Sequence, residues 1–391
     1  MPKQIYLDHN ATTYVDPAVV DAMLPYFTEK FANPSSPYSI GQDVSEELNS
    51  ARESVGKLLH AKNGKIIFTG GGSESDNLAI RGYARANKSK GNHIITTQIE
   101  HHAVLHTCEL LEKEGFEVTY LPVSENGLVC IKELKAAIQE NTILVTIMYA
   151  NNETGVIQPI ADVVKIAHDH NVVVHTDAVQ IVGKKEIDID ALGIDLLSFS
   201  AHKFYGPKGV GGLFVKKGIR INPIIQGGGQ EFKLRAGTEN TAGIIGLAKA
   251  LEVSLKNWKQ EWNNGKELRD LLETELLKTI PSSQLNGHPD KRLANTLNIT
   301  VQYIEGESML LMLNMKGILA SSGSACTSGS LDPSHVLLAM GMPHEDAHGS
   351  LRFSLGKRTT KEDIEKVIEV LPPIVQRLRE MSPLWDGKKG A

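Results

Sequence analysis

Val172-Val173-Val174-His175-Thr176-Asp177-Ala178 is a β-branched run that stops on a carboxylate, and Ile194-Asp195-Leu196-Leu197-Ser198-Phe199-Ser200-Ala201-His202-Lys203 is a second apolar run that stops on a histidine and a lysine. Near-continuous apolar strands are buried on both faces, which is the habit of parallel sheets covered by helices. The same rhythm extends upstream. Runs at 65–68, 93–96, 116–120 and 143–147 are mostly separated by helical segments. Gln42 to His60 carries Val44, Leu48, Ala51, Val55 and Leu58 at steps of three and four, one stripe of a helix. The fold class is α/β, a mainly parallel sheet covered by helices on both faces. Ligands of such sheets sit beyond the carboxyl ends of the strands, so the polar residue after each run is the one to weigh.

Downstream the composition changes after Gly243, where a helix is expected from about Ile244 through Leu277 with Trp258 and Trp262 on it. A smaller carboxy-terminal α/β domain starts near there. The expected division is 1–15 as an amino-terminal segment joining the small domain, 16–255 as the large domain and 256–391 as the small one. The whole chain of 391 residues is 41% hydrophobic and 22% charged, an ordinary globular composition. Its 41 Lys and Arg against 46 Asp and Glu leave a net charge of -5 without a basic run, so nucleic acid is not an expected partner. No run of ~18 apolar residues and no secretory leader is visible, so neither a membrane span nor secretion by that route is expected. Three widely spaced cysteines, Cys108, Cys130 and Cys326, argue against a disulfide framework and for the cytoplasm.

Several stretches could do chemistry. Thr69-Gly70-Gly71-Gly72-Ser73-Glu74-Ser75-Asp76 joins a strand to a helix, with Ser73 and Asp76 spaced as in a capping box. Glycines there let the backbone approach an anion, and the first N–H groups of the helix point at it; an ordinary capped turn is the competing reading. Neither a P-loop nor Gly-x-Gly-x-x-Gly occurs. Lys203, between a histidine and an aromatic residue, is placed to form a Schiff base, and Asp177 to hold a positive charge on a ligand. A phosphate cradle, a strand-end Asp and a strand-end Lys together fit pyridoxal 5′-phosphate. His101 could stack on a planar cofactor or simply face solvent, and His102 with His106 has metal-ligand spacing without completing a site. Ser321-Ser322-Gly323-Ser324-Ala325-Cys326-Thr327-Ser328-Gly329-Ser330 has no large side chain to pack, so it reads as a surface loop carrying an accessible thiol. Cys108, in an apolar run, reads as structural. Arg352 lies in an apolar strand, where its guanidinium needs either a substrate carboxylate or a structural acid.

With these residues in place the chain resembles the cysteine desulfurases, pyridoxal-phosphate enzymes of the class V aminotransferase group. The likeness runs from Tyr6-Leu7-Asp8-His9-Asn10-Ala11-Thr12-Thr13 to Phe353-Ser354-Leu355-Gly356, and its most specific motifs are Ser200-Ala201-His202-Lys203 with Tyr205-Gly206-Pro207-Lys208-Gly209, and Ser322-Gly323-Ser324-Ala325-Cys326. The resemblance implies fold type I, a homodimer and conversion of L-cysteine to L-alanine, with sulfur passed as a persulfide to an iron–sulfur scaffold or other acceptor. Lys203, Cys326 and His101 would be catalytic. Asp177 would face the pyridine nitrogen, Gln180 the phenolic oxygen and His101 the ring. Gly72, Ser73, Ser200, His202 and, from the second subunit, Thr238 would hold the phosphate. Asn152, also placed against the cofactor, would grip the substrate carboxylate with Arg352 and Asn33. No resident metal is implied, Cys326 being at most a transient iron–sulfur ligand. His9, Ala32, Tyr38 and the Gly71-Gly72-Ser73 turn depart from the family's usual pattern. A selenocysteine lyase or an aminotransferase of the same group is the alternative.

Overall fold

The computed structural model describes residues 4–322 and 332–385. Strand β1 (Ile5–Tyr6) opens the described chain, and β2 (Gly64–Thr69), β3 (His93–Thr97), β4 (Glu117–Leu121), β5 (Thr142–Thr146), β6 (Val173–Asp177), β7 (Leu196–Ser200) and β8 (Gly211–Lys216) build a seven-stranded sheet in the order β2-β8-β7-β6-β5-β3-β4. The pairs from β4 to β7 are parallel, and β8 runs antiparallel to both of its neighbours. Every residue of β3, β5 and β7 is buried, as continuous apolar runs require. The helix Ser39–Leu58 buries Val44, Leu48, Ala51 and Val55, its expected stripe.

Two apolar clusters cover opposite faces of this sheet, one containing Phe68, Val145, Val174 and Leu197, the other Ile67, Leu144, Leu196 and Leu213. Successive residues of one strand thus go to different clusters, the period-two alternation of a pleated strand. A third cluster lies around β9 (Ser283–Leu285), β10 (Thr296–Val301) and β12 (Ser350–Ser354), an antiparallel sheet in the order β12-β10-β9. Strand β1 pairs in parallel with β11 (Ile318–Leu319), and Leu7 joins that third cluster.

The expected single helix from Ile244 to Leu277 is two helices, Thr241–Lys256 and Trp258–Thr279, broken at Asn257 (φ -125°, ψ 23°). The first packs Leu247, Ala250 and Leu251 into the large-sheet core, and the second packs Leu272 and Leu276 into the third cluster. The break lets each helix turn its apolar side to a different core. Among the described residues no helix is long and apolar enough to cross a membrane.

Candidate active site

The carboxyl ends of β2, β6 and β7 meet. After β2 the chain turns at Gly71 into the helix Gly72–Asn87. The capping box expected from Ser73 and Asp76 is absent: the N-cap is Gly71 (φ 154°), without a side-chain cap hydrogen bond, and Asp76 is buried inside. Glu74 instead reaches back to accept from Gly70 N at 2.8 Å, and Arg235 Nε donates to it at 2.9 Å. A Cβ on Gly72 would lie 2.7 Å from Val179 Cγ2, so glycine lets the helix start pack this close to the segment after β6, with Ser200 Cβ 3.6 Å away. The first N–H groups of a 16-residue helix therefore open beside Ser200, an arrangement suited to a phosphate.

Asp177 ends β6, with Oδ1 accepting from Val179 N at 2.9 Å. Burial pushes its pKa up to about 6, against the Val179 N–H and the charge of Lys203. Beneath it lies a buried polar layer. His175 contacts Thr146 Oγ1 at 2.8 Å and Ser198 Oγ at 2.9 Å, and its Nε2 stands 3.6 Å from Asp76 Oδ1. Burial takes His175 down to about 3 and, with the nearby charge of Asp177, holds the Asp76 carboxyl well above its ordinary value. One charged carboxylate is thereby kept from lying directly on another.

Lys203 closes the 3-10 turn Ala201–Lys203 after β7. Its ammonium donates to the carbonyls of Asn10 and Ala11, so the amino-terminal segment folds directly onto it. Phe204 beside it is buried, and His202, with Nδ1 3.1 Å from Thr12 Oγ1, is brought down to about 4 by burial and then by Lys203. His101 is the N-cap of the helix His102–Lys113. Its Nδ1 accepts from Ala103 N at 3.1 Å, which puts the proton of the neutral ring on Nε2. Burial, then the charge of Lys203, lowers His101 to about 4, so the ring is neutral near pH 7. Gln180 is buried, donating from Nε2 to Asn10 O at 3.1 Å.

Arg352, 2% exposed, donates from Nη1 to Asn152 O at 3.1 Å and from Nη2 to Asp8 Oδ1 at 2.8 Å. Its structural partner is thus Asp8. Buried Nε has no partner among the described residues, so its N–H is a donor open to a ligand. Asn33 is exposed and its side chain accepts from Ser35 N at 2.9 Å. Thr238 is exposed too, on the segment that Arg235 ties to Glu74. Cys326 lies outside the described residues. Both flanks of its segment attach to the site: Ser321 pairs with Arg352 through two backbone hydrogen bonds, Ser334 Oγ donates to Glu153, and His335 Nε2 donates to Glu100 O at 2.9 Å.

Of the departures, His9 donates from Nδ1 to Ser354 O and packs where a Cβ on Gly356 would strike its ring, Ala32 is a core residue, and Tyr38 is exposed at the start of the helix Ser39–Leu58. His102 and His106 stack at 4.9 Å, and the described residues contain no group of three or more His, Cys, Asp or Glu that could hold a metal. Cys108 is buried in the core, its thiol pushed up by burial. Sequence reasoning missed Asn10 and Lys184. Lys184 Nζ donates to Asn10 Oδ1 at 3.0 Å and to Gln180 Oε1 at 3.2 Å. The available signal was a lysine after the apolar pair Ile181-Val182, four residues from Gln180.

Comparison with known proteins gives concordant results. The family model described as Aminotransferase class-V matches residues 5–367. A protein of Clostridium botulinum (strain Hall) named cysteine desulfurase IscS is 56% identical over 99% of this chain and 98% of its own length. One of the same name from Methanosarcina thermophila is 56% identical over 98% of this chain and 94% of its own. Among solved structures, a NifS-like protein superimposes with a TM-score of 0.91 at 38% identity, covering 96% of this chain and all 100% of that one. A structure described as SspA in complex with cysteine gives 0.80 at 38% identity, covering 90% of this chain and 99% of that one.

Proposed function

Because the chain belongs to the class-V aminotransferase family and, within it, to the cysteine desulfurases, we propose that its pocket at the ends of β2, β6 and β7 seats pyridoxal 5′-phosphate with Lys203 as the attachment point. The protein is a fold type I, pyridoxal-phosphate-dependent cysteine desulfurase. The residues suit the group: a glycine-lined helix start for the phosphate, and a buried carboxyl whose pKa any cationic ring nitrogen would pull back down.

Bound there, pyridoxal phosphate supplies a carbon for Schiff-base exchange with the amine of cysteine and a ring that takes up the electrons of the Cα–H bond. The chain's own groups do the rest. Gly72 and Ser73 N–H, Ser200 Oγ and His202 hold the phosphate, with Thr238 of a second copy. Asp177 holds the ring nitrogen, Gln180 donates to the ring oxygen and His101 covers the ring with Nε2–H available. Asn152, beside the ring, joins Arg352 and Asn33 in holding the substrate carboxylate. Lys203 Nζ takes the Cα proton. Cys326, as thiolate, attacks Sγ of the substrate: the S–S bond forms as the Cβ–S bond breaks, leaving a persulfide on the protein and, after protonation at Cβ, alanine. Anchoring of residues 321 and 334 at Arg352 and Glu153 supports this role for the segment between them.

One observation carries the site. Lys203 Nζ, held by the carbonyls of Asn10 and Ala11, stands close enough to Asp177, His101, His202 and Lys184 for its charge to lower the pKa of all four, so residues from three separate stretches of the chain converge on one amine. Exposed Phe27, Phe31, Tyr38, Ile40 and Phe232 support a homodimer, and free thiols at Cys108 and Cys130 support a cytoplasmic enzyme that hands sulfur to an iron–sulfur scaffold or another acceptor. The packing of the helices on either side of Asn257 into separate apolar clusters, the second of which also holds Ile5 and Leu7, supports a boundary there between a large domain and a small one that includes the amino-terminal segment. The test is incubation of the holoenzyme with L-cysteine under reducing conditions. Equal amounts of alanine and sulfide are expected, and none with Lys203→Ala. Alanine without sulfide, or turnover in the variant, contradicts the reading.

A further inference from the structure

Behind Gln180 a small network is fully specified by donor and acceptor chemistry. Asn10 Nδ2 donates to Asn152 O at 3.2 Å and to Thr296 Oγ1 at 2.9 Å. A carbonyl can only accept, so the amide nitrogen of Asn10 must point that way and its Oδ1 must face the other. On that other side stand Lys184 Nζ at 3.0 Å and Asn295 Nδ2 at 3.3 Å, both donors. The same amine of Lys184 reaches Gln180 Oε1 at 3.2 Å, while Gln180 Nε2 donates to Asn10 O at 3.1 Å.

An amide has nearly the same shape either way round, and its neighbours choose the orientation. Lys184 takes the oxygen of Gln180, and Asn10 O takes one of the two N–H groups. The second N–H is left for an acceptor on a ligand. We propose that Lys184 is a positioning residue: by occupying Gln180 Oε1 and Asn10 Oδ1 together, it presents Gln180 to the ring oxygen of pyridoxal phosphate as a donor. This rests on the role given to Gln180 above. Burial, with Lys203 and Arg352 as neighbouring positive charges, brings the Lys184 pKa down to about 7. The assignment holds on both sides of that value, because a neutral amine still has two N–H groups for its two acceptors. Removing the amine strips Gln180 Oε1 of its donor in a buried place, so the side chain must turn or admit water.

The test is a double-mutant cycle of wild type, Lys184→Met, Gln180→Ala and the double variant. Each apoenzyme is titrated with pyridoxal 5′-phosphate for its dissociation constant, and the visible absorption of each holoenzyme is followed against pH. Each single change is expected to weaken cofactor binding roughly tenfold, the weight of one hydrogen bond to a charged group, and to shift the absorption titration. The double variant should bind no more weakly than Gln180→Ala alone. Penalties that multiply in the double variant would overturn the assignment, as would wild-type binding and spectrum in Lys184→Met beside a defective Gln180→Ala. A Gln180→Ala protein indistinguishable from wild type would remove the role of Gln180 itself, and that of Lys184 with it. If thermal melting shows that the methionine variant does not fold, Lys184→Gln takes its place in the cycle under the same criteria.

Discussion

His101 and Glu100, adjacent in the chain, are shifted away from charge in opposite directions by the same cause. Burial lowers the imidazole to about 4 and raises the carboxyl to about 8. Both are neutral near pH 7, which suits a pocket that must hold a ring without a competing charge above it. Thr97 Oγ1 and Met148 N donate to Glu100, yet burial outweighs them. The folded protein therefore keeps a proton that an unfolded chain releases near 4.5, and binds more protons than the unfolded chain between about 4.5 and 8. The stability this group contributes is whole below that window and declines as pH rises through it. Glu100→Gln removes the titration and keeps the shape. Urea denaturation should show the variant gaining on wild type from about pH 6 to about pH 8, by at most ~1.4 kcal/mol per pH unit. A gap independent of pH would mean that Glu100 is ionised throughout.

At the scale of elements, the strand ends carry the chemistry and the glycine turn after β2 carries the anion site. Gly72→Ala puts a methyl 2.7 Å from Val179 Cγ2 and must push the helix start or the 178–180 segment aside. Weaker binding of pyridoxal phosphate to the apoenzyme, by roughly tenfold or more on the weight of one charged hydrogen bond, is expected with little loss of fold, measured by fluorescence titration and melting. Wild-type affinity would place the phosphate elsewhere. The strands and the stripe of the helix Ser39–Leu58 were legible because burial on two faces, or on one, writes itself into residue periodicity. Asp177 and Lys203 were legible because each ends an apolar run. The break at Asn257 was not, since helix-forming residues continue on both sides and the two separate cores appear only in the fold. The cap at Gly71 was not legible, because the turn there is shaped by close packing of Gly71 on Gly211 of β8 and of Gly72 on Val179, contacts that only the fold creates. Asn10 and Lys184 came together only through the fold, 174 positions apart.

On the scale of the molecule, large apolar side chains between Phe27 and Ile40, and at Phe232, are exposed among the described residues. Phe27 is 60% and Phe31 65% exposed, Ile40 shares a groove with Lys30, and Ser35 shares one with Phe232. The chain turns left-handed at Glu231, Phe232 and Lys233, and Arg52 clamps Glu231 there at 2.6 and 2.7 Å. The proposed contact of Thr238 with a second copy's phosphate requires two copies to pair, and these exposed side chains are the candidates for burial between them. Phe27→Asp with Phe31→Asp is expected to halve the mass seen by light scattering and to weaken cofactor binding. A monomeric wild type, or a dimeric variant, would contradict that arrangement. The most direct measurement of the whole account is the mass of the Cys326 peptide after one equivalent of L-cysteine, compared with Cys326→Ser. One added sulfur on Cys326, with one alanine released, is the predicted result, and the serine variant should still perturb the cofactor spectrum while forming neither. Unmodified Cys326 beside full alanine release, or sulfur found on Cys108 or Cys130, would contradict it.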